Sequence, residues 1–275
     1  MKTEKLHSSN LFMRSLRLFK RSYQQMQRIA QPRITKNIFF LHLPKCGGTS
    51  IAYAIRNCYH TSEVGHLNDA ACVKAAELLG KDLDDYRRDL LLYYLLHQNI
   101  RYLSGHFAYS KRAYHECGER WHFVTVLRHP VKRWFSHFFY NRYKKDGHFR
   151  INEDLSTFVE SERAFMLGRL YVRNLTEGAD RPGQHTVDTN KAVAAAIKVL
   201  EGFSLIGCLE HLDVMCRQFK QIFGVRLDIP KSNINPLSKD QQHPQISDEI
   251  RKRVEEICKP DIEVYKYAMA RISQE

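Results

Sequence analysis

The sequence predicts an α/β fold of three layers, in which a central parallel sheet is flanked by helices. Short apolar runs without polar alternation are typical of strands that are buried on both faces. These runs alternate with longer segments whose apolar residues recur at helical spacing, which favours parallel strands joined by helices. The chain has 275 residues, 43% of them hydrophobic, and this length is enough to bury the core of one large domain.

The first strand and the first helix are predicted on either side of a short turn. Residues 37–43 form a largely apolar run, and a Pro-Lys-Cys-Gly-Gly turn follows it. After the turn, Ile51, Ala54, Ile55 and Cys58 recur on one face of a helix predicted over residues 49–58. The order is therefore strand, tight turn and helix.

The later elements continue this alternation. Strands are predicted at 101–106, 122–127 and 203–208. Helices are predicted over 66–98 with a break at 80–82, from Pro130 to near Gly147, over 155–170, 188–201 and 210–223, and in two segments after Ser247 that are separated near Pro260. An aromatic stripe on the Pro130 helix, made of Trp134, Phe135, Phe138 and Phe139, is expected to pack in the core.

The chain divides into a basic N-terminal arm or helix, residues 1–35, and a single domain, residues 36–275. A polar stretch within 148–187 is expected to be a mobile excursion over the site. The arm has no apolar core of a signal peptide, and no run approaches the roughly 18–20 apolar residues of a membrane span. We therefore expect a cytoplasmic protein whose arm is frayed or loosely docked; the alternatives are peripheral contact with a membrane surface and a transit segment.

The charge of the chain indicates the class of its partners, and its cysteine content bears on disulfides and zinc sites. The formal net charge is +13, which favours anionic partners such as nucleotides, sulfated or phosphorylated substrates, nucleic acids or acidic lipids. The seven cysteines are an odd number without C-x-x-C pairs, so neither a disulfide framework nor a structural zinc site is expected. The oligomeric state is left open.

The turn after the first strand has the composition of a phosphate-binding loop. Gly47 and Gly48 allow a tight backbone curl, and Thr49 and Ser50 open the next helix, whose N-terminal amides favour an anion. Lys45 adds a positive charge, but it precedes the glycines, unlike the lysine of a Walker A loop. The loop indicates a P-loop-like fold, although an ordinary turn with a stray lysine would have the same composition.

Two further predicted strands end on polar residues, and parallel strands bring such ends to one crevice. His106 is the polar end of the second strand, and Arg128 directly follows the third. Ser136 lies eight residues after Arg128, about two helical turns further on. An arginine fork and a hydroxyl can clamp one phosphate, although an arginine paired with an acidic side chain is the simpler alternative.

These motifs together resemble the sulfotransferase superfamily. The order is Pro-Lys-Cys-Gly-Gly-Thr-Ser after a first strand, then Gly-His, then Leu-Arg-His-Pro-Val-x-Arg-x-x-Ser-x-x-x-Tyr. The chain is most similar to the carbohydrate branch, which includes the heparan sulfate 2-O-sulfotransferases and their bacterial relatives. The similarity extends from about Asn37 to Ala268, with softer motifs at 206–213, 233–236 and 261–268.

The resemblance implies that the co-substrate is PAPS (3′-phosphoadenosine 5′-phosphosulfate) and that the product PAP is released. The loop residues implied to hold the 5′-phosphosulfate are Lys45, Cys46, Gly47, Gly48, Thr49 and Ser50. Arg128 and Ser136 are implied to hold the 3′-phosphate. We expect Lys45 to neutralise charge on the leaving oxygen and His106 to act as general base, with no metal required.

One residue departs from the family pattern, because Cys46 stands where the family usually has Thr. A thiol beside a helix N-terminus and Lys45 can have a depressed pKa and be prone to oxidation, and the redox sensitivity of Cys46 is left open. The expected acceptor is a hydroxylated, anionic carbohydrate or glycolipid, and no nucleic-acid partner is expected. A P-loop kinase or NTPase and a non-catalytic nucleic-acid-binding protein remain the alternatives, and Glu210 is the next candidate for the base.

Overall fold

A computed structural model describes residues 33–144, 150–177, 189–230 and 246–273. It contains one parallel sheet of five strands in the order β2-β3-β1-β4-β5. The strands are β1 (Asn37–Leu41), β2 (Val64–His66), β3 (Tyr102–Gly105), β4 (Trp121–Leu127) and β5 (Leu205–Cys208). The predicted α/β class with a parallel central sheet is confirmed.

Twelve helices in the described ranges surround this sheet, and six of them begin after a side chain that caps the first turn. They are α1 (Gly48–Arg56), α2 (Asp69–Leu78), α3 (Leu83–Leu96), α4 (Lys111–Cys117), α5 (Pro130–Tyr143), α6 (Leu155–Val159), α7 (Glu162–Gly168), α8 (Leu170–Leu175), α9 (Thr189–Glu201), α10 (Leu212–Phe223), α11 (Asp248–Ile257) and α12 (Lys259–Ser273). Asp82 and Ser110, for example, accept hydrogen bonds from the first turns of α3 and α4. Two 3-10 turns, Thr61–Glu63 and Leu209–His211, complete the set.

Three sequence predictions of elements differ from the structure. The single helix predicted over 155–170 was wrong, because Asp154 and Ser161 each cap a new helix and divide the segment. Strand β2 was missed because it is three residues long, too short to show a periodic pattern. Helix α4 was also missed, because its seven residues make only about two turns and show too little of a helical repeat.

The register of the central strands positions the site. Leu41 at the end of β1 lies opposite Gly105 of β3 on one side and Thr125 of β4 on the other. The three strands run in the same direction, so their carboxyl ends meet at one edge of the sheet. The prediction that these ends share one crevice is therefore supported by the pairing of the strands.

Two apolar clusters form the core. The larger one surrounds the sheet, and the smaller one lies under α5. The stripe on α5 is buried, with Trp134 and Phe139 fully so, which confirms the prediction that it packs in the core. Ile151 and Phe158 belong to the same smaller cluster, so this part of the predicted excursion is packed against the fold.

Several predictions concern residues outside the described ranges. The basic arm up to residue 32 and residues 178–188 of the excursion are among them. Of the helices that the structure describes, none is long and apolar enough to cross a membrane.

Candidate functional site at the carboxyl edge of the sheet

The loop between β1 and α1 has an unusual backbone. Lys45 has a φ of 64°, and Gly47, the N-cap of α1, has a φ of 76°. Both angles lie in the left-handed region, which glycine adopts readily and a residue with a side chain adopts at a cost. The loop therefore turns sharply into α1, whose first N–H groups have no partner within the helix and attract anions.

The two loop glycines are required for close contacts. A Cβ atom added to Gly48 would lie 2.1 Å from Cδ2 of His42, and one added to Gly47 would lie 2.6 Å from Cδ1 of Leu209. Neither distance is possible for a real side chain without movement of the neighbour. The backbone of the loop thus packs directly on the His42 ring on one side and on the 3-10 turn after β5 on the other.

Lys45 extends its side chain from this loop to α5. Its Nζ atom lies 3.5 Å from the centroid of the Tyr140 ring. Burial and the nearby Arg128 lower the pKa of Lys45 to about 8. Within the described ranges no carboxylate pairs with the ammonium group, so its charge is available to an anion.

Cys46 points away from solvent. Its side chain is fully buried, and Sγ lies 3.4 Å from the hydroxyl oxygen of Tyr171. Burial raises the pKa of the thiol to about 11, which is opposite in direction to the depressed pKa considered from the sequence. At this position only the main chain can contribute to ligand binding. Of the two hydroxyl residues that open α1, Thr49 is exposed and Ser50 is buried.

Arg128 joins the end of β4 to the same loop. Its Nη1 donates a hydrogen bond to the carbonyl oxygen of Lys45 at 3.2 Å. The guanidinium makes no ion pair with any described carboxylate, so the simpler interpretation of an arginine paired with an acidic side chain finds no support there. Ser136 lies on α5 and is partly exposed, and in the described part of the chain its hydroxyl makes no hydrogen bond.

A buried tyrosine holds Arg128 in place. The main-chain N–H of Arg128 donates to the Tyr171 hydroxyl at 2.9 Å, and that hydroxyl donates to the Arg128 carbonyl at 2.5 Å. The same phenol contacts Cys46. Tyr171 therefore connects the phosphate-loop candidate with the strand end that carries Arg128.

An aspartate from the last helix orients this tyrosine. Asp261 accepts hydrogen bonds from the N–H groups of Tyr171, at 3.0 and 2.9 Å, and of Val172, at 3.1 Å. Its carboxylate lies 3.7 Å from Nη2 of Arg133, and both side chains are fully buried. Burial raises the pKa of Asp261 to about 7, while Arg133 acts in the opposite direction.

No role was predicted for Tyr171 or for Asp261, although Asp261 opens the softer motif at 261–268, because their partners lie far away in the chain. Tyr171 acts on residues 43 and 125 positions away, and Asp261 binds N–H groups 90 and 89 positions away. A tyrosine in an apolar helix and an aspartate after a proline have many other uses. Only the tertiary contacts reveal their connection with the site.

His106 lies immediately after β3, next to His42. Its Nδ1 is 2.8 Å from the carbonyl oxygen of His42. A carbonyl oxygen can only accept, so in the neutral form of the ring Nδ1 carries the proton and the lone pair lies on Nε2. The His42 and His106 rings lie 4.5 Å apart between centroids, and burial together with His106 lowers the pKa of His42 to about 3.

Glu210, the second candidate for the base, has other contacts. Its carboxylate accepts the N–H of His129 at 3.1 and 3.3 Å and the hydroxyl of Tyr265 at 3.1 Å. Both oxygens are therefore engaged in holding the turn before α5. This arrangement favours His106 over Glu210 as the group that can accept a proton.

Comparison with known proteins gives no assignment: no protein-family model matches the chain, and no curated protein matches it. Across the described ranges, no group of three or more His, Cys, Asp or Glu side chains is placed to hold a metal ion.

Proposed function

We propose that the protein is a PAPS-dependent sulfotransferase, which moves a sulfuryl group to a hydroxyl of a carbohydrate or glycoconjugate and releases PAP. The observation that carries this proposal is the hydrogen bond of 3.2 Å from Arg128 to the Lys45 carbonyl. It joins two cationic elements that lack carboxylate partners in the described part of the chain. A nucleotide with phosphates at both its 5′ and 3′ positions matches such a pair of sites.

The 5′-phosphosulfate end of the donor is assigned to the loop and the start of α1. Cys46, Gly47 and Gly48 would contribute main-chain N–H groups, and Thr49 and Ser50 add hydroxyls. The helix N-terminus adds its dipole, which favours negative charge there. The strand order, with this loop directly after the central strand β1, supports a P-loop-like assignment of the fold.

The 3′-phosphate end is assigned to Arg128 and Ser136. Arginine offers a planar fork of donors that matches a phosphate, and the Ser136 hydroxyl adds one more donor. The Tyr171 hydroxyl fixes the backbone of Arg128 through hydrogen bonds with both its N–H and its carbonyl group. The guanidinium is thus presented from a rigid strand end and not from a loose loop.

The chemistry requires a base and a group that neutralises the leaving oxygen. His106 would take the acceptor's hydroxyl proton on Nε2 while the acceptor oxygen bonds to sulfur. The bond from sulfur to the 5′-phosphate oxygen breaks in the same transfer, and PAP leaves with that oxygen. Lys45 would neutralise the charge that develops on it.

The proposal for the acceptor is limited to its chemical class, because it rests on the charge of the protein alone. A net charge of +13 favours an anionic carbohydrate or glycolipid. Arg142 lies in the last turn of α5, and the exposed Arg150 follows the end of this helix by seven residues. The basic N-terminal segment, residues 1–35, is proposed to make peripheral contact with an acidic membrane surface.

Ligand-induced stabilisation tests the proposal. PAP should raise the melting temperature, AMP should do so less because it lacks the 3′-phosphate, and ATP with Mg²⁺ should do so least. At a hundredfold excess over Kd, a ligand stabilises the folded state by about 2.7 kcal/mol. Equal shifts with ATP and PAP would favour a kinase or NTPase, and stabilisation by oligonucleotides alone would favour a nucleic-acid-binding protein.

If PAP binds, a transfer assay identifies the acceptor. Radiolabelled PAPS is offered with sulfated and desulfated glycosaminoglycans, a neutral oligosaccharide and a glycolipid. Incorporation into an anionic glycan above the neutral one is the expected result, and incorporation into none of them would restrict the proposal to nucleotide binding.

A further inference from the structure

The aromatic ring under the Lys45 ammonium group has no role in the function proposed so far. Tyr140 lies on α5 four residues after Ser136, on the same face of the helix. The distance of 3.5 Å from Nζ to the ring centroid is well within the range of a cation–π contact. The ring is 38% exposed, so it is available at the surface and does not support the core.

The charges around Lys45 explain why the ammonium group needs this ring. Arg128 faces it from the end of β4 and repels it. His137 faces it from α5, and burial lowers the pKa of that histidine to about 3, so the ring stays neutral above that pH. Within the described ranges no carboxylate offsets the ammonium charge. The Tyr140 ring is thus the one described group in contact with Nζ that favours the charged form.

We propose that Tyr140 is a positioning residue, whose ring keeps the Lys45 ammonium group charged and holds the side chain in its position between the phosphate loop and α5 before and during donor binding. The contact itself is made by two side chains of the free protein. Only its effect on donor binding rests on the proposed function. A lysine side chain is otherwise flexible, with three donors that can point in many directions. The ring covers one side of the ammonium group and leaves the others for a phosphate.

The expected strength of this effect follows from known cation–π contacts. Such a contact favours the charged form by roughly 2-fold to 30-fold, depending on how far water is excluded. For Lys45, which is partly buried, we expect about tenfold. The matching variants are Tyr140→Leu, which removes the ring, and Tyr140→Phe, which keeps the ring and removes only the hydroxyl.

The first experiment measures Lys45 directly and needs no nucleotide. The intact protein is acylated with trace acetic anhydride across pH 6 to 10, and modification of Lys45 is quantified by peptide mass spectrometry. In Tyr140→Leu the midpoint of the profile should move down by about one pH unit, whereas Tyr140→Phe should follow the wild type. The midpoint is decisive, because better access to reagent would raise the rate at every pH.

Tyr143→Leu is the matched control, since Tyr143 lies on the same helix and is 40% exposed. Its ring contacts Phe139 and Arg142, and its variant should leave the Lys45 profile unchanged. An unchanged midpoint in Tyr140→Leu, or an equal shift in Tyr143→Leu, would overturn the proposal.

The second experiment measures PAP affinity at pH 6.5 and pH 8.5. Tyr140→Leu should bind like the wild type, within about twofold, at pH 6.5 and about five- to tenfold more weakly at pH 8.5, where it has lost the Lys45 charge. Lys45→Met should show no additional effect of Tyr140→Leu at either pH. Tighter binding by Tyr140→Leu at pH 6.5 would show that the ring competes with the donor, and the positioning role would be wrong.

The two experiments separate the two proposals. A wild type that does not bind PAP would contradict the proposed function, while the acylation profile would still decide the role of Tyr140. A wild type that binds PAP, together with a Tyr140→Leu variant that matches it at both pH values, would contradict only the role of Tyr140.

Discussion

Two arginines five residues apart show how differently this fold uses the same side chain. Arg128 lies at the carboxyl edge of the sheet together with Lys45 and His106, and we call these three residues the edge region. Arg133 lies on the buried face of α5, in contact with Asp261 and Tyr171, and we call these three residues the buried region. Arg128 is partly exposed and bonds a carbonyl, whereas Arg133 is fully buried beside a carboxylate.

The difference teaches which charges are available for a ligand. In the buried region the arginine charge is balanced within the protein, because an isolated charge there would be strongly unfavourable. In the edge region no described carboxylate balances Lys45 or Arg128. We therefore expect substitutions in the edge region to change ligand binding and rate, and substitutions in the buried region to change stability.

The largest effect is expected for His106→Ala in the edge region. A positioned general base contributes roughly 10²–10⁴-fold to rate, so kcat for sulfuryl transfer should fall by about that factor. PAP affinity and the melting temperature should stay close to those of the wild type, because the base contacts the acceptor proton. A variant that retains a rate within about threefold of the wild type would remove His106 from the mechanism.

In the buried region, Asp261→Ala should lower the free energy of unfolding by about 3–5 kcal/mol, because it leaves the Arg133 charge without its partner. Denaturant unfolding monitored by circular dichroism measures this loss. The control is Glu160→Ala, which removes an exposed ion pair of 3.1 Å with Arg253 and should cost less than about 1 kcal/mol. Similar losses in the two variants would contradict the contrast between buried and exposed charge.

Arg128→Ala should weaken PAP binding about 10-fold to 100-fold, since a hydrogen bond to a charged group contributes roughly 1.5–3 kcal/mol. AMP, which lacks the 3′-phosphate, should lose little affinity. Calorimetric titration of both ligands gives the comparison, with Lys132→Ala as a control for a nearby exposed charge on α5. Equal losses for PAP and AMP would show that Arg128 acts through the structure of the loop and not on the 3′-phosphate.

The smallest effect concerns His42, a titratable group of the sheet edge that the fold keeps neutral. Its pKa is lowered from 6.5 to about 3, so below pH 6.5 the unfolded chain binds a proton that the folded chain does not. Stability should therefore fall with decreasing pH, by about 1.1 kcal/mol per pH unit on average between pH 6.5 and 5 for this group. His42→Phe should reduce the slope between pH 6.5 and 5 by that amount, and an unchanged slope would show that His42 is not the group responsible.

Much of the fold followed from patterns that lie close together in the sequence. The apolar runs predicted four of the five strands, and the Pro130 helix with its aromatic stripe was correctly placed. The candidate residues Lys45, His106 and Arg128 were predicted from their places at strand ends. In the structure these ends meet because β1 pairs with β3 and β4.

The partners of these residues could not be predicted, because they come from distant parts of the chain. Local composition suggested a reactive thiol at Cys46, but the thiol is buried against Tyr171, 125 residues later. Glu210 was a reasonable second candidate for the base until its contacts with His129 and Tyr265 were known. Sequence patterns identify a group by its chemistry, whereas its availability depends on tertiary contacts.

The left-handed backbone at Lys45 has a consequence for protein engineering. Glycine adopts this conformation without the steric penalty of a side chain. Lys45→Gly is therefore expected to raise the free energy of unfolding by up to about 1 kcal/mol. The same change removes the ammonium group from the loop. A directed-evolution screen for thermostability alone would therefore enrich variants without the ammonium group at this position, and it would need nucleotide binding as a second criterion.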